Sequence, residues 1–207
     1  MIRVLQIPLG PIETNAYMVA NEETKKAIVI DPGMQPAELL FELEGYEVEA
    51  ILLTHAHFDH IGGVDEVKQK YNCPIYLHPN EHDWLNDANK NGSARWPQIG
   101  APFTTTPADI SLKNGQILNL IGQSIEVRHT PGHSPGSVSF VMGDVVFCGD
   151  ALFHRGIGRT DLPGGSQQQL IQAIQQKLMT LPPDTIAYPG HGRETTIGDE
   201  KKYNPYL

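Results

Sequence analysis

The stretch Thr54-His55-Ala56-His57-Phe58-Asp59-His60 constrains this chain more than any other, because it sets four metal-type ligands within six residues. Before it runs Ala50-Ile51-Leu52-Leu53, a short apolar segment that reads as a buried strand. After it come Ile61-Gly62-Gly63 and a helix-like Val64 to Tyr71. The ligands therefore fall on the turn from a strand's C-terminal end into a helix, where open α/β sheets build their sites. In an extended segment, side chains two apart point the same way, so His55 and His57 can grip one cation together. Asp59 and His60 follow as the chain turns, too displaced for the same sphere but placed to begin a second. Imidazole and carboxylate suit zinc, iron or manganese.

Three further ligands stand in similar places. Thr130-Pro131-Gly132-His133 follows the strand-like Ser124 to Arg128. Gly149-Asp150 follows Val145 to Cys148, and Pro189-Gly190-His191 follows Thr185 to Tyr188. Glycine lets the backbone turn sharply beside a bound ion. Seven ligands at the ends of four strands make a constellation for two metals.

These residues resemble the metallo-β-lactamase-fold hydrolases, whose HxHxDH motif is followed in order by His, Asp and His. Within that family the sequence is most similar to the small glyoxalase II-like (hydroxyacylglutathione hydrolase-like) members. The resemblance runs from Thr14-Asn15-Ala16-Tyr17 and Ile30-Asp31-Pro32-Gly33 to the end of the chain. It implies a four-layer αββα sandwich of α/β class. It also implies one cation on His55, His57 and His133, a second on Asp59, His60 and His191, and Asp150 bridging both. Zinc is the leading expectation for both cations, with iron or manganese as alternatives. Asp31 would support the metal shell from behind; an Asx-type turn before Pro32 is the competing reading. True glyoxalase II carries a further helical domain with glutathione contacts. This chain ends shortly after His191, so a single domain over 1–207 without that domain is expected, and weak hydrolysis of glutathione thioesters with it.

The remaining chain bounds the reading. A length of 207 residues fits one domain, and 40% apolar with 19% charged residues is globular composition. The net charge of −9 argues against nucleic-acid or anionic-membrane partners. Two bound divalent cations would still leave the cleft itself attractive to an anion. Cys73 and Cys148 lack CxxC spacing and read as reduced, buried thiols, which implies a cytoplasmic protein. The N-terminus reads as a strand and not a signal peptide. No run approaches the roughly 18 apolar residues a membrane span needs.

Ala16 to Val19 and Lys26 to Ile30 read as strands, and Pro36 opens a helix through Leu43. His78 and His129 read as structural. Asn80 to Pro107 reads as a long irregular stretch anchored by Trp84 and Leu85, with Trp96 and Phe103 as candidates for an apolar substrate wall. Ser137 to Met142 and Val145 to Phe147 form a hairpin about Gly143-Asp144, which delivers Asp150. In the loop 151–165, Arg159 and Asp161 either pair to order the loop or leave Arg159 to bind a substrate anion. Ser166 caps an amphipathic helix that Pro182-Pro183 stops.

The chemistry expected is hydrolysis of a thioester or ester by a metal-bridging hydroxide. Asp150 bridges, Asp59 orients the hydroxide or takes its proton, and S-lactoylglutathione is the leading substrate. A small molecule, glutathione or another thiol conjugate, is the expected partner; the oligomeric state stays open. Two alternatives remain. One is a mononuclear-iron persulfide dioxygenase built on His55, His133 and Asp150; the other is a non-catalytic metal-binding protein. His60 after Asp59 sets antibiotic hydrolysis aside as the main activity.

Overall fold

Alternation along the strands decides the layers of this protein, whose computed structural model describes residues 1–207. Six strands form the first sheet in sequence order: β1 (Ile2–Leu9), β2 (Thr14–Asn21), β3 (Lys26–Ile30), β4 (Glu47–Leu52), β5 (Ile75–Leu77) and β6 (Ile110–Ser111). Successive strand side chains face opposite ways. On β2, Ala16, Met18 and Ala20 join a cluster with Leu39, Leu43, Val64 and Val67. Tyr17 and Val19 join another cluster with Leu118, Phe140 and Phe147. The parallel links from β3 to β4 and from β4 to β5 need crossovers, supplied by α1 (Ala37–Glu42), α2 (Phe58–Ile61) and α3 (Val64–Tyr71). The residues of α1 and α3 in the first cluster place that layer on the sheet's outer face.

The second sheet contains β7 (Ile117–Leu120), β8 (Gln123–His129), β9 (Val138–Met142) and β10 (Val145–Gly149), then β13 (Ile186–Pro189) and β14 (Thr195–Thr196). A small hairpin, β11 (Leu152–Phe153) with β12 (Gly156–Ile157), stands between β10 and β13 in sequence. The order across the sheet is β14-β13-β10-β9-β8-β7. Val145 and Phe147 of β10 face the first sheet, while Val146 and Cys148 face Leu170, Ile174 and Leu178. Those last three belong to α4 (Gln167–Ala173) and the π-helical turn Ile174–Leu178 that extends it. The result is the expected αββα arrangement, with the inter-sheet core at its centre.

Local differences have local causes. In β4, Val48 faces outward and Ala50 inward, because the register with β3 slips between Ala27 and Ile28. The stretch after Leu77 is irregular as expected but holds two 3-10 turns, Pro79–Trp84 and Ser93–Arg95, with Trp84 and Leu85 in the core. The loop 151–165 contains the β11–β12 hairpin, whose two-residue strands are too short to leave a periodic signal. The C-terminal segment forms α5 (Ile197–Tyr203), capped by Thr196 accepting from the Asp199 N–H at 3.1 Å. No helix is long and apolar enough to cross a membrane.

Candidate metal centre

Four strand ends converge on one place. Beyond β4 the chain bends at Thr54 and reaches His57, itself extended (φ −69°, ψ 146°), which caps α2. His55 and His57 thus lie on the irregular link between β4 and α2, and Asp59 and His60 on the first helical turn, the order expected from the sequence. His133, Asp150 and His191 arrive from the turns after β8, β10 and β13. Ligand atoms of His55, His57 and His133 lie within 4.8 Å of one another, and so do those of Asp59, His60 and His191. His57 Nδ1 stands 2.9 Å from His133 Nε2. Asp59 Oδ2 is 3.2 Å from His191 Nε2 and 3.3 Å from His60 Nε2. Asp150 lies between the two groups. Its Oδ1 is 3.3 Å from His60 Nε2, and its Oδ2 is 3.6 Å from His133 Nε2 and 3.7 Å from His191 Nε2. The approach is tight: a Cβ on Gly190 would fall 2.0 Å from Asp150 Oδ1, so no larger residue fits there.

A divalent cation suits this donor set. His55 Nε2, His60 Nε2 and Asp150 Oδ1 are buried without a hydrogen-bond partner, a state that a ligand normally explains. The opposite ring nitrogens are engaged. His55 Nδ1 lies 3.0 Å from Thr54 Oγ1, His60 Nδ1 is 2.8 Å from Asp31 Oδ2, and His133 Nδ1 is 2.8 Å from the Arg159 carbonyl. Contacts of that kind fix the tautomer that presents the other nitrogen to a metal. Asp31 also accepts from the Thr54 N–H at 2.8 Å and the Thr54 hydroxyl at 2.6 Å. Its carboxylate is therefore a support for His60, which decides between the two sequence readings of that residue.

The electrostatics divide the cluster. Burial, reinforced by neighbouring imidazoles, holds His55 well below the usual histidine range and His57 at about 3. Both are neutral at physiological pH, the ligating form. Burial also opposes charge on His60, but Asp59, Asp150 and Asp31 outweigh it and raise its pKa. His191 is raised in the same way by Asp59 and Asp150. Burial works against the Asp150 carboxylate, yet His60, His133 and His191 bring it down to about 2.

The cluster floors a cleft of about 510 Å³. Trp96 lines it; Phe103 does not and packs against the outer core instead, which corrects the expected wall. Arg159 also lines the cleft, paired to Asp161 through two bonds of 2.7 Å. His78 and His129 stack on each other, with centroids 4.2 Å apart, outside the cluster. Cys148 donates to the Leu152 and Tyr188 carbonyls, and burial pushes its thiol up to about 12, so it offers no nucleophile. Two supporting residues escaped sequence reasoning. Thr14 donates to Asp59 Oδ2 at 2.8 Å. Glu81, fully buried, accepts from the N–H groups of Ala56 and Gly136, each at 2.6 Å, and from the Ser134 hydroxyl at 2.5 Å. An acid in the polar stretch after His78 is no signal by itself, since all its partners are distant in sequence.

Layers and cluster together describe an α/β sandwich carrying a candidate divalent-metal centre. The profile of the metallo-beta-lactamase superfamily matches residues 9–191, and the chain belongs to that superfamily. It is 45% identical over 206 residues to a probable metallo-hydrolase, YqgX of Bacillus subtilis, covering 98% of this chain and 96% of that one. It is 37% identical over 207 residues to hydroxyacylglutathione hydrolase GloC of Haemophilus influenzae, covering 97% and 96%. Among solved structures, the BLEG-1 B3 metallo-beta-lactamase superposes with a TM-score of 0.94 at 48% identity over 99% of both chains. TTHA1623 in a di-iron-bound form gives 0.85 at 40%, over 99% and 100%. ETHE1 from Myxococcus xanthus gives 0.80 at 29%, over 98% and 83%.

Proposed function

We propose that the chain is a metal-dependent hydrolase of small-molecule thioesters or esters. The observation that carries this reading is the convergence of seven His and Asp side chains, in two groups joined by Asp150, on the floor of one cleft. His55, His57 and His133 would hold one divalent cation, Asp59, His60 and His191 the other, and Asp150 would touch both. Such cations supply Lewis acidity, polarising a carbonyl and lowering the pKa of water to roughly 7. Zinc suits the donors, and the di-iron form of TTHA1623 makes iron the first alternative.

The chain's own residues supply position and proton transfer. Thr14 and His191 both engage Asp59 Oδ2, which leaves Asp59 Oδ1 to orient an attacking water and accept its proton. Apolar cleft walls limit the access of bulk water. A glutathione hydroxyacyl thioester is the first substrate to assay, because GloC is matched over nearly its whole length. That match also weighs against the expectation that a further domain is required for such a substrate.

A second reading, β-lactam hydrolysis, is favoured by 48% identity to BLEG-1, which outweighs the argument from His60. Persulfide oxygenation, suggested by the resemblance to ETHE1, needs only three ligands; the gathering of all seven supports two cations. The test is a panel on protein loaded with zinc, iron or manganese: S-lactoylglutathione, simple thioesters, a chromogenic β-lactam, and glutathione persulfide with oxygen uptake. Thioester turnover is expected to fall by at least about a thousandfold in His57→Ala and Asp150→Ala, together with metal content. Full turnover by metal-stripped protein would overturn the reading.

A further inference from the structure

The cleft changes character with depth. At the floor lie the buried ligands. Five half-buried apolar side chains line the same cleft: Trp96 and Ile99, and Phe153, Ile157 and Leu162 from the β11–β12 hairpin and its exit. Three cations line the same cleft. Lys90 is paired with Asp83, and Arg159 is held by both oxygens of Asp161. Arg95 is exposed, lies within 4 Å of no carboxylate and donates no side-chain hydrogen bond. The only carboxylates lining the cleft are Asp59 and Asp150, both committed to the floor. A chain of net charge −9 therefore sets one free guanidinium beside an apolar passage.

Resting on the thioester reading, we infer that the substrate is an amphipathic anion. Its arm beside the reacting carbonyl is apolar and about the size of an aromatic ring, and that arm ends in a carboxylate met by Arg95. Trp96 and Phe153 supply aromatic faces for such an arm. Arg recognises a carboxylate through a planar fork. A glutathione arm suits these walls poorly. It carries an ammonium besides its carboxylates, and the cleft offers no free acidic group to pair with it. Burying an unpaired charge against apolar walls is unfavourable.

The experiment uses metal-loaded full-length protein and thioesters that share one leaving thiol, N-acetylcysteamine. The acyl groups are acetyl, phenylacetyl and para-carboxyphenylacetyl, with S-lactoylglutathione alongside. kcat/KM is expected to rise about tenfold or more from acetyl to phenylacetyl, since pocket contacts discriminate at that scale. The carboxylate should add roughly two- to fivefold, the value of a partly exposed ion pair. Arg95→Glu should bring the ratio of carboxylated to neutral substrate to one or below. Trp96→Ala should shrink the phenylacetyl-to-acetyl ratio. Equal turnover of the three acyl groups, preference for S-lactoylglutathione over all of them, or an unchanged ratio in Arg95→Glu would overturn the inference and leave the thioester reading standing. No turnover of any thioester, with a β-lactam or persulfide consumed, would overturn both.

Discussion

Asp31 shows how far one side chain can set the chemistry of another. Its Oδ2 accepts from His60 Nδ1, so Nε2 is the nitrogen that faces Asp59 and Asp150 and would present its lone pair to a cation once deprotonated. In Asp31→Asn the amide can turn N–H toward His60 Nδ1, which shifts the ring proton to Nε2 and blocks ligation. The affinity for the second cation is then expected to fall about 10–100-fold. The same titration should reveal a difference between the two ligand groups in pH response. Nearby carboxylates raise the pKa of His60 and His191 above the usual histidine range, so a cation competes with protons there up to a higher pH. His57, at about 3, has none to lose near neutrality. Falling pH should therefore weaken the cation on Asp59, His60 and His191 first, with protons released on binding measured by calorimetry in buffers of different ionisation enthalpy. Equal pH dependence at the two groups would contradict this assignment.

At the scale of elements, the ligand loops were legible because their signal is local. An apolar strand, a glycine turn and a ligand recur in one short window, and His55 to His60 sit as their spacing implies. The hairpin about Gly143-Asp144 and the helix α3 were legible for the same reason. Glu81 was not, because its partners Ala56, Ser134 and Gly136 are 25, 53 and 55 residues away. Nor was the small hairpin β11–β12, which supplies a cleft wall from strands of two residues each. Phe103 was misplaced because an aromatic in an irregular loop fits a core or a wall equally well on sequence alone. Glu81 ties the loop bearing His55 and His57 to the loop bearing His133, and its three hydrogen-bond partners, Ala56, Ser134 and Gly136, all donate to it. Glu81→Gln turns an amide N–H toward one of those donors. Leaving one such buried group unpaired costs about 1–3 kcal/mol. The expected result is a lower melting temperature and a weaker cation at His55, His57 and His133, with the Asp59, His60 and His191 group less affected. Metal stoichiometry with cobalt spectra at each group reads this directly; weakening confined to the second group would contradict it.

Across the whole molecule the candidate centre lies on the seam between two sheets. His55, His57, Asp59 and His60 follow β4 of the first sheet, while His133, Asp150 and His191 follow strands of the second. The seam is already tied by polymer contacts. The Asn15 N–H donates to the Gly190 carbonyl at 2.7 Å, the Asn15 amide to Pro189 and Gly192, and the Tyr17 hydroxyl to Pro189 at 2.5 Å. Val138 donates to the Thr54 carbonyl at 2.8 Å. Beneath these ties, Phe140 and Phe147 pack against Tyr17 and Leu52 from the opposite sheet. A cation bound by ligands of both sheets binds only when the sheets are docked, so its binding free energy adds to global stability. At a free concentration a hundredfold above Kd, one cation contributes about 2.7 kcal/mol. For a domain of this size that corresponds to a melting shift of roughly 5–10 °C, at about 2–4 °C per kcal/mol. Chelation should therefore lower the melting temperature by about that amount. The shift should shrink but persist in His133→Ala, which removes the second sheet's histidine from the first group and leaves His191 to tie the other group across the seam. Calorimetry alongside metal analysis separates the outcomes: a chain fully stripped of metal that melts at the same temperature as the loaded one would mean the cations do not span the seam.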